Sequence, residues 1–405
     1  MKFIKAKIFI VITFLIAGYF FSNDFGLIDI EKTAIVTACA IDKEDNEYKV
    51  TLQIALPSEG MGAEQNGKAL LEGKGLTVAD AIGKTGTVTG WYPSLSFCNL
   101  ILVGESLLSD DLTACLDYFS RSIKIQDSAI LACTENNASD ILKKTSPLDN
   151  ISGFSLQKII LKKTGMDGNV LKTDLKEFEN NRFSRSLDSY MPFVCAVDAK
   201  HSDNSKPSDS GSSKESSNSG QTGGENEQKS FFNASKTKLF KKGVCIGELN
   251  ESETSVAVLI KNNVYDTNLP VKNVLINGIT ANYSLRIIKS KFTLKINTSD
   301  DNVTVKISGK LFVKIADETS IDNNTSHEPL ITLPDEVKIA AEKALTQDII
   351  ALTDKCKQLK FDLFDIDLNL YRFHSKKYNT IIKTLWDNVK FDINVSVYGQ
   401  KEYKK

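Results

Sequence analysis

The chain has 405 residues, 41% of them hydrophobic and 25% charged. That length predicts two or three domains, and that balance excludes both a disordered chain and a polytopic membrane protein. Fifty basic against 51 acidic side chains leave a net charge of −1, so no global field draws the chain to nucleic acid.

The first segment is basic and then apolar. Lys2, Lys5 and Lys7 precede Ile8 to Phe21, and Asp24, Asp29 and Glu31 follow. Positive charge before an apolar run predicts a cytoplasmic N-terminus with the rest exported. Fourteen helical residues cover about 21 Å, the length of a signal-peptide core and short of the ~30 Å hydrocarbon layer. Snorkelling by Lys5 and Lys7 would suit a short anchor. No pair of small residues falls at cleavage-site spacing, so residues 1–22 are read as an uncleaved anchor.

Thr33–Ile41 is apolar and β-rich, and predicts a strand buried on both faces. Tyr48 to Leu56 alternates, which predicts a hairpin partner with one wet face. Residues 58–75 read as a polar loop. Thr77 and Asp80 predict a helix start, with the helix ending near Lys84. Phe97–Val103 reads as a strand ended by Gly104, Ser106–Phe119 as a helix, Ser128–Cys133 as a strand and Ala138–Lys144 as a short helix. Helical spacing over 155–163 and 171–178 precedes a strand at 190–197. This uneven alternation predicts an α+β fold of two to three mixed domains with largely antiparallel sheets.

From His201 to Ser230 no large apolar side chain occurs, which predicts a disordered Ser/Gly-rich linker. The expected division is therefore an anchor over 1–22, α+β domain material over 23–200, the linker over 201–230, and a second α+β domain over 231–405. Residues 237–249 predict a hairpin turning at Lys242-Gly243. Asn250 with Glu253 predicts a helix cap. Alternation between Val271 and Ala316 predicts an antiparallel meander, with Ser308-Gly309 as one of its turns. Asp335–Leu359 reads as the longest helix, behind Pro334. A helix over 363–373 and a strand over 389–397 close the chain.

Chemistry is sparse. The three histidines, His201, His327 and His374, lie far apart in sequence, and no nucleophile-elbow, zinc-helix or P-loop pattern occurs. Gly83-Lys84-Thr85-Gly86 reads as a helix end and turn. The seven cysteines, Cys39, Cys98, Cys115, Cys133, Cys195, Cys245 and Cys356, contain no C-x-x-C pair and read as free thiols. Trp91-Tyr92-Pro93 reads as an aromatic loop, either a lid on the core or a partner contact. The residues thus point to a binding or scaffolding ectodomain with no catalytic, cofactor-binding or metal-ligating set.

Four passages give the chain its resemblance to a known family: Ile30–Asp42 with Tyr48–Leu56; Gly75–Ile82 with Leu100–Leu107 and Tyr118–Arg121; Thr237–Leu259; and Phe361–Lys383 with Trp386. In order and spacing it resembles the Ger(x)C family, the C subunits of nutrient germinant receptors of spore formers. The resemblance implies an ectodomain on the outer face of the spore inner membrane, acting with A and B membrane subunits, without cofactor or catalysis. Whether such a subunit meets the small-molecule germinant is left open. Family members carry a lipobox cysteine; Leu15-Ile16-Ala17-Gly18 fits its run-up, but Tyr19 stands at the cysteine position, so no lipid can attach there. Trp91, Tyr92 and Pro93, and the strand end Gly104-Glu105, are the expected partner surface. A stand-alone, membrane-anchored solute-binding module is the alternative.

Overall fold

The computed structural model describes residues 2–22, 32–56, 67–161, 168–198, 229–262, 264–276, 278–299, 302–320 and 332–399. Helix α1 (Lys2–Ser22) is 21 residues, about 32 Å long at 1.5 Å per residue. Its described apolar side chains, Ile8, Phe9, Val11, Phe14 and Leu15 among them, are largely exposed. Among the described residues no helix is long and apolar enough to cross a membrane. The side chain of Tyr19 and most of the 201–230 segment lie outside the described residues.

Nine strands build the first sheet: β1 (Thr33–Glu44), β2 (Glu47–Ala55), β3 (Lys68–Gly75), β4 (Tyr92–Ser94), β5 (Leu100–Val103), β6 (Ile130–Thr134), β7 (Asp188–Asp198), β8 (Ser230–Lys241) and β9 (Val244–Leu249). Their order is β3-β2-β1-β5-β6-β7-β8-β9, with β4 paired to the start of β1. The fold is mixed α+β as expected, and antiparallel pairing holds at both flanks. In the centre β1, β5, β6 and β7 run parallel. Every residue of β5 and β6 is buried, the condition for parallel strands covered on both faces. Helices α2 (Val78–Thr89), α3 (Thr113–Arg121) and α6 (Leu175–Arg182) contribute to the core on one face, and α4 (Ala138–Lys143) and α5 (Ser152–Leu161) to that on the other.

A bulge between Val36 and Ala38 sets which β1 side chains point where. One extra residue inverts the period-two alternation, so Ala34 and Val36 share a core with Cys39 and Ile41, while Ala38 and Ala40 face the other.

Three local expectations are corrected. The β2 face read as wet is buried: Thr51 and Gln53 have no exposure, because α4 and α5 lie over them. Gln53 stays polar there by donating to Ser152 Oγ at 2.8 Å and accepting from Gly153 N at 2.9 Å. The second half of the 58–75 loop is β3, paired residue by residue with β2. Helix α2 continues through Gly83–Gly86 and ends only where Gly90 adopts φ 72°, so that Gly-Lys-Thr-Gly stretch is helix interior. Burial of Thr85 against β3 supplies what two glycines withdraw.

The second sheet has order β10-β11-β12-β13, from β10 (Thr267–Ile276), β11 (Ile279–Ser299), β12 (Asn302–Ser320) and β13 (Val389–Gly399). The first three form the expected antiparallel meander, and β13 returns parallel to β12. Ser308-Gly309 is not a turn; it lies within β12 opposite Phe292 and Thr293. A Cβ on Gly309 would overlap the Phe292 ring, so this glycine makes room for an aromatic cross-strand neighbour. Helices α7 (Glu251–Lys261), α8 (Asp335–Leu359), α9 (Ile366–Phe373) and α10 (Ser375–Asn388) complete this core. Helix α8 has the expected bounds. Helix α10 is additional, although Tyr378, Ile381, Ile382, Leu385 and Trp386 have helical spacing.

The first sheet does not stop at 201–230. β7 and β8 pair antiparallel from either side of it, and Leu239 and Leu249 of β8 and β9 pack into the second core. The two lobes therefore share strands, and the composition break does not mark the edge of a sheet.

At the start of α7 the Asn250 side chain accepts from Glu253 N at 2.9 Å and Glu253 accepts from Asn250 N at 2.8 Å. Lys355 of α8 also reaches Glu253, at 2.6 Å. Asn250→Ala is expected to cost about 1 kcal/mol, read as a lower urea midpoint; an unchanged midpoint would show that the box contributes nothing.

Candidate functional site

The two stretches marked by the sequence sit at opposite ends of β1. From Thr33 to Asp42 is nine residues, about 30 Å of strand at ~3.3 Å each. The fold brings Trp91–Pro93 to the first end and Gly104-Glu105 to the second, so they do not form one surface.

At the first end, the left-handed Gly90 closes α2 and turns the chain back along β1, pairing Tyr92 with Thr33 and Pro93 with Ala34. Trp91 is 49% exposed and walls an open hollow of about 690 Å³, rather than sealing the core. Ile35 of β1, Ile54 and Leu56 at the end of β2, and Ala69 and Leu71 of β3 line the rest, so the hollow is almost wholly apolar. Lys124 hydrogen-bonds the Tyr92 hydroxyl and lies 4.6 Å from its ring centroid.

At the second end a buried carboxylate organises the backbone. Asp42 Oδ1 accepts from Ala138 N at 2.7 Å and Oδ2 from Ser139 N at 3.0 Å, capping α4 from a strand some 95 residues earlier in the chain. Burial raises the Asp42 carboxyl above its usual range, while these two N–H groups pull it back. Gly104 is glycine because a Cβ there would overlap Asp42 Oδ1. Glu105 N donates to Asn136 O at 2.9 Å, and its carboxylate accepts from Asn136 N at 3.2 Å. Both residues of this pair are engaged in holding the strand end to the α4 loop.

A second polar cluster joins the lobes. Asp362, after α8, is buried; its oxygens accept from Ile366 N and Asp367 N, each at 2.8 Å. Its own N–H donates to Asp188 Oδ2 of β7 at 2.8 Å. Lys241 of β8 stands 3.3 Å from the other Asp188 oxygen and donates to Lys360 O at 2.6 Å. Burial pushes the Asp362 carboxyl up to about 7, against those two backbone donors. Burial also raises Asp188, which Asp362 N and Lys241 partly offset.

Nothing in these clusters assembles a nucleophile with a base. The seven thiols are free, and burial pushes Cys98 and Cys115 up to about 12, which keeps them protonated and unreactive. Among the described residues no group of three His, Cys, Asp or Glu could hold a metal ion. His374 Nδ1 stands 3.1 Å from Thr298 Oγ1; His201 and His327 lie outside the described residues.

Sequence reasoning misses Asp42 and Asp362. Asp42 follows an apolar run directly, a signal that a carboxylate ends a buried strand, but its partners lie 96 and 97 residues away. The hollow leaves no local signal, because three strands and a helix end each supply part of it.

Comparison with known proteins gives consistent matches. Residues 27–195 match the family model described as spore germination protein N-terminal domain. Residues 235–399 match the one described as spore germination B3/GerAC like, C-terminal. YfkR of Bacillus subtilis (strain 168), a protein named for spore germination, is 22% identical over 180 residues. That match covers 42% of this chain and 46% of YfkR, less than half of each. The crystal structure of the GerBC protein superposes with TM-score 0.50 at 17% identity, covering 92% of this chain and 100% of that one, which is a likeness of fold.

Proposed function

The chain belongs to the GerAC-like spore germination proteins, and from that membership we propose that it is the non-enzymatic C subunit of a nutrient germinant receptor. It is held by residues 1–22 on the outer face of the spore inner membrane, and it scaffolds or relays the signal of the A and B membrane subunits. What carries the reading is that both halves of the family fold occur in order on one chain behind α1. A helix with apolar side chains exposed along its described length has no stable place in water, which supports a tether. In this reading 23–200 and 231–405 work as two α+β domains, joined by 201–230 and locked by the β7–β8 pair. Glu105 and Gly104 serve the fold, which leaves Trp91–Pro93 as the one of the two expected stretches with exposed aromatic side chains. The apolar hollow beside Trp91 favours the second reading, a stand-alone module binding an apolar solute.

Co-purification separates them. An affinity tag placed after Lys405 is expected to bring polytopic A and B subunits out of detergent-solubilised spore membranes in comparable amounts. Recovery of this chain alone from membranes that contain those subunits would overturn the receptor reading.

A further inference from the structure

We propose that the Trp91 end of the first lobe seats in the bilayer interface, with the hollow and the apolar side chains around it taking lipid. The inference rests on the tether reading of residues 1–22 and adds a second membrane contact to it.

Topology gathers the apolar groups. Parallel β1, β5 and β6 all begin at this end, and antiparallel β2 finishes and β3 starts there. The loops before β5 and β6 therefore stand beside the Trp91 strand, and Gln126 of one donates to Ser96 O of the other at 3.3 Å. Projecting from this single end are Ile35 (46% exposed), Leu56 (43%), Trp91 (49%), Tyr92 (38%), Phe97 (58%) and Ile123 (102%). Isolated exposed apolar residues need no explanation, whereas six at one end around an apolar hollow mark a surface that is covered in use. Trp and Tyr among them suit the boundary between headgroups and acyl chains.

The chain's path selects lipid as the cover. α1 ends at Ser22 and β1 begins at Thr33 on the rim of the hollow. The ten residues between them, eleven Cα steps, reach at most about 40 Å, so this end stays within that distance of the surface into which the tether inserts. Lys32, exposed immediately before β1, and Lys124 beside Tyr92 place positive charge at the level of anionic headgroups. An apolar run of about 21 Å is a short anchor, and stable attachment commonly combines two weak membrane contacts.

Trp91 and Trp386 are the two tryptophans, and Trp386 packs against the second core. The full chain, reconstituted alone into vesicles of phosphatidylethanolamine and phosphatidylglycerol with brominated acyl chains, reads the contact directly. Wild-type emission is expected to shift blue and to be quenched by bromolipid at least twofold more than that of Trp91→Phe. Ile123→Asp and Phe97→Asp, both at exposed positions, are expected to halve that quenching while the chain still floats with the vesicles. Equal quenching of wild type and Trp91→Phe in a floating chain overturns the proposal and leaves the tether intact. Trp91 that becomes shielded from acrylamide only when A and B subunits are added assigns the surface to protein and also overturns it. A chain that does not float removes the tether and the proposal together. Failure of the co-purification leaves this measurement unaffected, because it uses no partner.

Discussion

Gly104→Ala is expected to lower the unfolding free energy by about 3–5 kcal/mol. The added Cβ would occupy the position of Asp42 Oδ1. Asp42 would then leave Ala138 N and Ser139 N, two N–H groups in fully buried residues, without an acceptor. Each orphaned donor costs about 1–3 kcal/mol, and overpacking adds a comparable amount. Asp42→Ala is expected to cost about 2–4 kcal/mol, since it orphans the same donors but relieves the burial of a carboxyl. The informative result is the double variant. With the carboxyl absent the methyl has room, so Gly104→Ala is expected to add under about 1 kcal/mol to Asp42→Ala. Additive losses in urea unfolding would show that the glycine is needed for some other reason.

The second large effect is a pH dependence at the junction of the lobes. Asp362 is raised to about 7 in the folded chain, chiefly by burial, from an ordinary aspartate value of 3.8. Between about pH 4 and pH 7 the folded state therefore binds more protons at this site than the unfolded state. Stability falls as pH rises through that window, by up to a few kcal/mol, and this group contributes no further change above it. Asp188 is shifted the same way and adds to the slope, while Lys241, 3.3 Å from Asp188, opposes it. Asp365 and Asp367 also belong to this cluster, with Asp367 hydrogen-bonded by Tyr378. Asp362→Asn cannot change charge, and its amide faces one of the two N–H groups that the carboxyl accepts. The variant is expected to be less stable than wild type at pH 5, to close that gap by pH 8, and to lose at least half of the slope between them. An unchanged slope would place the titrating group elsewhere.

Local chemistry is legible where it is complete within a few residues. Asn250 and Glu253 cap α7 as their spacing predicts, and Pro334 with the stripe from Val337 to Cys356 gives α8 its bounds. Lys242 and Gly243 make the β8–β9 turn with positive φ at both positions, which a two-residue hairpin requires. The resemblance carried by Ile30–Asp42, Thr237–Leu259 and the other passages likewise leads to the family that both domain matches support. Misreadings fall where a polar or small residue is explained by a distant neighbour. Gln53 looks solvent-facing until α5 is laid over it, and Gly309 looks like a turn until the Phe292 ring is placed against it. Trp91 stays open between a lid and an exposed contact in the sequence, because the strands that leave it half-exposed come from three separate stretches.

The sequence by itself thus determined the apolar start, the mixed α+β class and the helix caps, since each follows from periodicity or spacing along the chain. The family entered through a resemblance that the domain matches support. Only the tertiary structure decided that β7 and β8 carry one sheet past the polar segment, that Asp42 caps a helix 96 residues away, and that six apolar tips meet at one end of β1. These depend on which strands lie side by side, and strand order is fixed by burial summed over the whole sheet rather than by any one stretch of residues.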